Sequence, residues 1–344
     1  MLLNIIASYV KKVLGYNENM NKLRVAVLRG GPSHEYDVSL ETGRHILSLL
    51  NEMQEEYEPK DILISRSGEW YRDGLSFSPE DALLGIDVVF NAMHGQYGED
   101  GEVQSLLEEL GVPFTGSYSE ASRLAMDKER AKQVFYESGL YVPRHELIEL
   151  EPTPKQMTYI FNNYVYPVIV KPASGGSSLG TKLVHTFHEL GEAIEHALQY
   201  SKKVLVEEFI RGREATCGVV ENARGEKLYA LLPIEIKKHP KRHFFDYEAK
   251  YSGETEEICP GSFSQKTARE IENQAKKAHV ALGLHHYSRS DFIITPKGKI
   301  YILETNTLPG FTQESLFPKA LHAVGWHPKH FVDHIIKQAL ERHA

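Results

Sequence analysis

Three short and almost wholly apolar runs near the amino terminus constrain this chain more than any other feature. Residues 23–28 of "LRVAVLRGG" read as a strand entering a glycine turn at Gly30 and Gly31, and "KDILIS" and "GIDVVFNAMHG" read as two more strands. Between and after them, "VSLETGRHILSLL" and "DGEVQSLLEELG" space their apolar residues as helices do, the second ending on a glycine. Strands that alternate with helices call for an α/β layer. Runs apolar at every position call for strands covered on both faces, as in a parallel sheet. The expected fold class is therefore α/β and multidomain, opening on a parallel α/β domain.

The rest of the chain has a different grain. "SEASRLAMDKERAKQVFYESG" reads as helix in two pieces. "YPVIVKPASGGSSLGTKLV" reads as strand, glycine-rich turn, strand, and "SKKVLVEEFIRGREATCGVV" adds further strand. Then come "KLYALLPIEIK", a polar loop through "HPKRHFFDYEAKYSGETEE", a helix around 264–282, the stretch "RSDFIITPKGKIYILETNTLPG" and a closing helix near 328–342. The 344 residues suffice for several cores. The preferred division is an extension over 1–20, a substrate-holding module over 21–118, a central module over 119–207 and a carboxy-terminal module over 208–344.

Composition excludes several classes. A formal net charge of -8 gives no overall attraction to nucleic acid. No apolar run is long enough to span a bilayer, so no stable membrane association is expected. Residues 1–20 hold a short apolar patch with neither a preceding positive segment nor a small-residue cleavage site, which argues against export. Cys217 and Cys259 make neither a disulfide framework nor a metal cluster, and a reducing, cytoplasmic setting fits.

The chemistry begins with the hairpin. If Lys297 and Gly298 form a two-residue turn, counting outward sets Asp291 opposite Glu304. Alternation then puts Arg289, Ile293, Ile300, Ile302 and Asn306 on the same face. Two facing carboxylates repel, and a hard divalent cation removes the repulsion. Carboxylate and amide oxygens suit Mg²⁺, with phosphate oxygens completing its octahedron, and Glu304 could bridge two such ions. A solvated strand end would explain the hairpin alone equally well, so motifs elsewhere must decide. "KPASGGSSLG" offers Lys171, two adjacent glycines, Ser177 and Ser178: backbone N–H groups, hydroxyls and a charge that suit polyphosphate. It is neither a Walker A loop nor a dinucleotide fingerprint. Glu207 in "VLVEEF" and Glu214 in "GREAT" could be nucleotide contacts, though each taken alone reads more readily as a solvated glutamate; Lys128 in "MDKERAK" reads equally as a phosphate contact or a helix-surface charge.

Taken together, these motifs resemble the D-alanine–D-alanine ligase family of the ATP-grasp superfamily, from about Val25 to Trp326. The resemblance rests on the order of "GGPSHEYDVSLETG", "HGQYGEDGEVQSLLEELGVPFTGS", "MDKERAK", "KPASGGSSLG", "VLVEEFIRGRE", "FFDYEAKY", "SRSDF" and "LETNTLPGFTQESLFP". It implies ATP held between the central and carboxy-terminal modules. Lys128, Lys171 and Lys250 match phosphate-contacting lysines, and Ser177 and Ser178 fall in a lid over the phosphates. Glu207 matches a ribose-binding carboxylate, Glu214 another acid of the nucleotide site. Asp291, Glu304 and Asn306 match ligands of Mg²⁺, two ions in the family, with Mn²⁺ as a substitute. Glu35 would meet the ammonium of the first D-alanine, with His94 near it. Arg289 and the backbone of Gly310 would hold the oxyanion, Ser315 and Leu316 would receive the second D-alanine, and Tyr251 would help close the site. The implied reaction joins two D-alanines through a D-alanyl phosphate for peptidoglycan synthesis. The resemblance further suggests a cytoplasmic homodimer and stimulation by K⁺. The alternatives are a D-alanine–D-lactate or other carboxylate–amine ligase, and a non-catalytic nucleotide-binding regulator. "SLETGR", Ser290 and "HHY" at 285–287 depart from the family's usual residues.

Overall fold

The computed structural model describes residues 22–149, 152–176, 179–237 and 256–343. They form three β-sheets. The first has strands β1 (Leu23–Gly30), β2 (Tyr57–Ile64), β3 (Trp70–Arg72), β4 (Leu75–Phe77) and β5 (Val88–Asn91), in the order β4-β3-β2-β1-β5. β1 runs parallel to both β2 and β5, pairing Val25 with Pro59 and with Val88. The parallel expectation holds only there. β3 and β4 add to the edge antiparallel, because the five-residue connection closed by Ser65 N–H to the Glu69 carbonyl is too short for a crossover.

The second sheet takes β6 (His145–Glu149), β7 (Val168–Pro172), β8 (Lys182–Val184) and β9 (Lys203–Glu208) in the antiparallel order β6-β9-β7-β8. The third contains β10 (Arg213–Ala223), β11 (Glu226–Ala230), β12 (Ile234–Lys237), β13 (Glu256–Ile258), β14 (Tyr287–Ile294) and β15 (Ile300–Asn306). Its order is β13-β12-β10-β14-β15, with β11 also on β10.

The two-piece helical stretch breaks at Asp127, whose backbone is extended (φ -81°, ψ 99°). Its carboxylate accepts the N–H groups of Glu129 and Arg130, capping the helix Lys128–Glu137. That cap sets Lys128 and Lys132, one turn apart, on a single helix face. The helix Tyr36–Asn51 covers one face of the first sheet with Ile46, Leu49 and Leu50. The same core takes Phe331, Val332, Ile335 and Ile336 from the distant helix Pro328–His343, so both ends of the described chain share one hydrophobic cluster. The carboxy-terminal stretch read as a single module thus packs partly on the amino-terminal sheet. Fully burying a side chain such as Phe331 stabilises by about 2–3 kcal/mol.

His286 explains one departure noted in "HHY". Its φ is +64°, the left-handed region that glycine occupies without strain. The imidazole compensates in part: Nδ1 accepts the Gly116 N–H at 3.0 Å, tying the first and third sheets together.

Candidate active site

The hairpin reaches its pairing by a different route from the one expected. Thr295 N–H donates to the Lys299 carbonyl and Gly298 N–H to that of Thr295, which makes a longer turn. Ile294 therefore faces Ile300, Ile293 faces Tyr301 and Phe292 faces Ile302. Leu303 is then the extra residue of a β-bulge, after which Asp291 faces Glu304 and Arg289 faces Asn306. The two departures cancel at the polar end but not below it. Ile300 and Ile302, expected beside Asp291, lie on the other face with Phe292 and Ile294 in a buried cluster.

Cations already attend these carboxylates. Arg289 pairs with Asp291 at 3.3 Å and Lys128 with Glu304 at 2.9 Å, while Thr216 Oγ1 donates to Asp291. Among the described residues no group of three or more His, Cys, Asp or Glu side chains is arranged to hold a metal. Asp291, Glu304 and Asn306 offer two carboxylates and an amide at adjacent register positions. That hard, incomplete oxygen set fits a Mg²⁺ whose remaining ligands come from phosphate.

Behind the carboxylates lies a row of buried charge. Lys132 is 0% exposed, Glu207 2% and Lys171 8%. Glu207 sits 3.1 Å from each lysine, one oxygen to each. Burial pushes the Lys132 ammonium down to about 8 against the pull of Glu207. Burial would raise the Glu207 carboxyl, but the two lysines outweigh it and hold it below the usual range. Lys128 Nζ also donates to the Gly175 carbonyl at 2.8 Å, anchoring the start of the glycine loop. Burial lowers its ammonium, yet Glu304, Glu207 and Glu35 leave it above the ordinary lysine value.

The far side of the site is acidic. A Cβ on Gly95 or Gly176 would fall 2.6 or 2.7 Å from Glu35 Oε2, so these glycines leave the room that the carboxylate fills. Glu99, 5% exposed, accepts the Gly95 N–H at 2.7 Å and the Leu308 N–H at 3.2 Å, bridging loops of the first and third sheets. Burial, and then Glu35, raise its carboxyl. His94 lies between Thr42 Oγ1 at 2.8 Å and the Leu308 carbonyl at 3.1 Å, and burial pulls its imidazole down to about 4. Ser315 precedes the helix Leu316–Ala323 and its Oγ accepts the Thr312 N–H at 3.0 Å. Gly310 is close enough that a Cβ there would lie 3.2 Å from Ser315 Oγ.

One cavity of about 1050 Å³ gathers these groups. Every candidate from the sequence that falls on described residues lines it: Glu35, His94, Lys128, Lys171, Glu207, Glu214, Arg289, Asp291, Glu304, Asn306, Gly310, Ser315 and Leu316. Ser177, Ser178, Lys250 and Tyr251 fall outside the described residues. Sequence reasoning missed Lys132 and Glu99. The first had a signal, since it follows Lys128 at helical spacing in "MDKERAK"; the second had none beyond its place in "HGQYGEDG". It also missed an apolar wall of Ile169, Phe209, Ile210, Ile236 and Leu303, suited to a flat ring.

Comparison with known proteins places this geometry. A crystal structure of a D-Ala:D-Ser ligase from Enterococcus faecalis superposes with a TM-score of 0.81 at 30% identity, covering 93% of this chain and 100% of that one. The D-alanine-D-alanine ligase of Coxiella burnetii gives 0.80 at 28% identity, with coverages of 94% and 95%. The fold is the multidomain ATP-grasp architecture of these structures. The family described as "D-ala D-ala ligase C-terminus" matches residues 134–337, and "D-ala D-ala ligase N-terminus" matches 72–117. The D-alanine--D-alanine ligase of Desulfotalea psychrophila is 39% identical over 329 residues, covering 94% of this chain and 97% of the relative. That of Syntrophobacter fumaroxidans is 37% identical over 324 residues, with coverages of 93% and 98%. The chain belongs to the D-alanine–D-alanine ligase family.

Proposed function

We propose that this enzyme joins two D-alanine molecules at the expense of ATP, giving D-alanyl-D-alanine, ADP and phosphate for peptidoglycan precursors. The observation that carries the reading is the meeting, in one cavity, of paired oxygen ligands, a lysine row and a buried acidic subsite.

Phosphoryl transfer to a carboxylate needs positioning and charge neutralisation more than covalent chemistry from the protein. Lys128, hydrogen-bonded to the Gly175 carbonyl, and Lys171, on the strand that leads into the glycine loop, would hold phosphate oxygens. Asp291, Glu304 and Asn306 would hold Mg²⁺, which when bound screens the charge of the phosphates; a second ion and replacement by Mn²⁺ fit the same hard donors. Ile169, Phe209 and Ile210 would enclose the base, with Glu207 and Glu214 on the nucleotide side. Glu35 would pair with the ammonium of the first D-alanine, deep in the cavity beside His94. There the first carboxylate becomes an acyl phosphate, and the amino group of the second D-alanine attacks its carbonyl, expelling phosphate. Arg289 and the Gly310 backbone would stabilise the oxyanion formed in that attack. Ser315, at the positive end of its helix, would bind the second carboxylate. Ser177, Ser178, Lys250 and Tyr251 complete the proposed set as a cover that excludes water. A cytoplasmic homodimer stimulated by K⁺ accompanies this reading.

The test is ATP-dependent phosphate release with D-alanine alone, coupled to mass identification of the product. D-Lactate and D-serine, offered as second substrates beside D-alanine, should compete poorly. Nucleotide binding without turnover on any of these would overturn the proposal.

A further inference from the structure

Lys132 has no part in the reaction just described, yet it is fully buried at the inner end of the charged row. Its ammonium lies 3.1 Å from Glu207 and 3.4 Å from the carbonyl of Leu303, the bulge residue that precedes Glu304. Glu207 already has Lys171 at 3.1 Å through its other oxygen. Burying a second ammonium against the same carboxylate is costly, and a core that needed only neutrality would stop at one.

The charge count gives the reason. Glu207 and Lys171 alone sum to zero, so Lys171 would meet an anion with its charge already matched. Lys128 is in the same position, paired with Glu304 at 2.9 Å. Adding Lys132 leaves the row Lys132–Glu207–Lys171 with one net positive charge, and Lys171, on the strand that leads into the glycine loop, is the end of it that lines the cavity. We propose that Lys132 is a positioning residue that engages Glu207 and thereby leaves the charge of Lys171 available to an anionic phosphate. This rests on the reading of Lys171 as a phosphate-binding residue. Lys132 touches no substrate itself; it lies on the helix Lys128–Glu137, one turn beyond Lys128.

The experiment measures, by calorimetry, binding of ADP with Mg²⁺ and of adenosine, which shares the base and ribose but has no phosphate. Lys132→Met should weaken ADP about tenfold and adenosine less than about twofold. The double variant Lys132→Met with Glu207→Gln again leaves Lys171 as one net charge; loss of the Glu207 carboxylate should weaken ADP and adenosine alike, while the ADP-to-adenosine ratio recovers to near that of the unmodified protein. A purely structural lysine would weaken both ligands alike and show no recovery, and either result overturns the proposal. Should the single variant fail to fold, the double variant carries the test: an ADP-to-adenosine ratio near that of the unmodified protein supports the charge count, a collapsed ratio refutes it. Lys171→Met separates the two readings. If it leaves ADP binding unchanged, the phosphate site itself is wrong; if it weakens ADP while Lys132→Met does not, only the present inference falls.

Discussion

Replacing Glu99 by glutamine changes one atom and tests how the acidic subsite is built. Glu99 accepts backbone N–H groups from Gly95 and Leu308, one on each oxygen. The amide of glutamine can accept only one of them and presents an N–H₂ group to the other. A buried N–H left without an acceptor costs about 1–3 kcal/mol. For a chain of this size that lowers the melting temperature by roughly 1–4 °C at neutral pH. The pH dependence is the sharper signature. Burial and the neighbouring Glu35 lift the folded-state carboxyl from its ordinary 4.5 to about 8. The folded protein therefore keeps a proton that the unfolded chain releases. The resulting stabilisation is fully present below about 4.5 and is lost as pH rises through 8. Glutamine has no such proton, so thermal unfolding of the ligand-free proteins should show the gap between native and variant narrowing from pH 6 to pH 9. A gap that stays constant over that range would refute the placement of a protonated carboxyl beside Glu35. The same logic predicts that D-alanine, bringing an ammonium to this pair, releases protons on binding.

Three further outcomes follow from the site and core. Glu304→Gln should cut ATP-dependent phosphate release by about a hundredfold, worth about 3 kcal/mol of barrier, without unfolding the chain; equal turnover would contradict the metal role. His94 is held neutral down to about 4, while in the unfolded chain it protonates near 6.5. Stability should thus fall by roughly 3 kcal/mol as pH drops between those values, a slope read by urea titration and missing in His94→Gln. Cys217 is buried and its thiol is pushed up by that burial, whereas Cys259 is half-buried. A thiol reagent should label Cys259 alone in the native protein and both cysteines in denaturant.

What the sequence made legible was what repeats or alternates. The parallel strands declared themselves by unbroken apolar runs, and the two-piece helix by its spacing, although its break at Asp127 came only from the structure. The β3–β4 hairpin did not, because three-residue strands are too short to show a period. The hairpin of β14 and β15 shows the limit most clearly. A bulge carries no side-chain signature, and nothing in "YILETN" marks Leu303 as an extra residue. The pairing of Asp291 with Glu304 survived because the longer turn and the bulge shift the register in opposite senses. Ile300 and Ile302, lying between those two shifts, came out on the wrong face. Lys132 and Glu99 were hidden for another reason: their roles come from partners 75 and more than 200 residues away, Glu207 and Leu308, that no local pattern brings together.

The shared cluster of the first sheet and the helix Pro328–His343 has a consequence for synthesis. Val25, Val27 and Phe90 emerge from the ribosome long before Phe331 and Ile335 exist to cover them. During that interval the first sheet carries a sticky surface, while the central sheet of β6–β9 can already close around its own interior. The first-made sheet thus waits for the last-made helix to seal it. A ribosome-stalled chain ending before residue 328 should recruit holding chaperones through its opening strands.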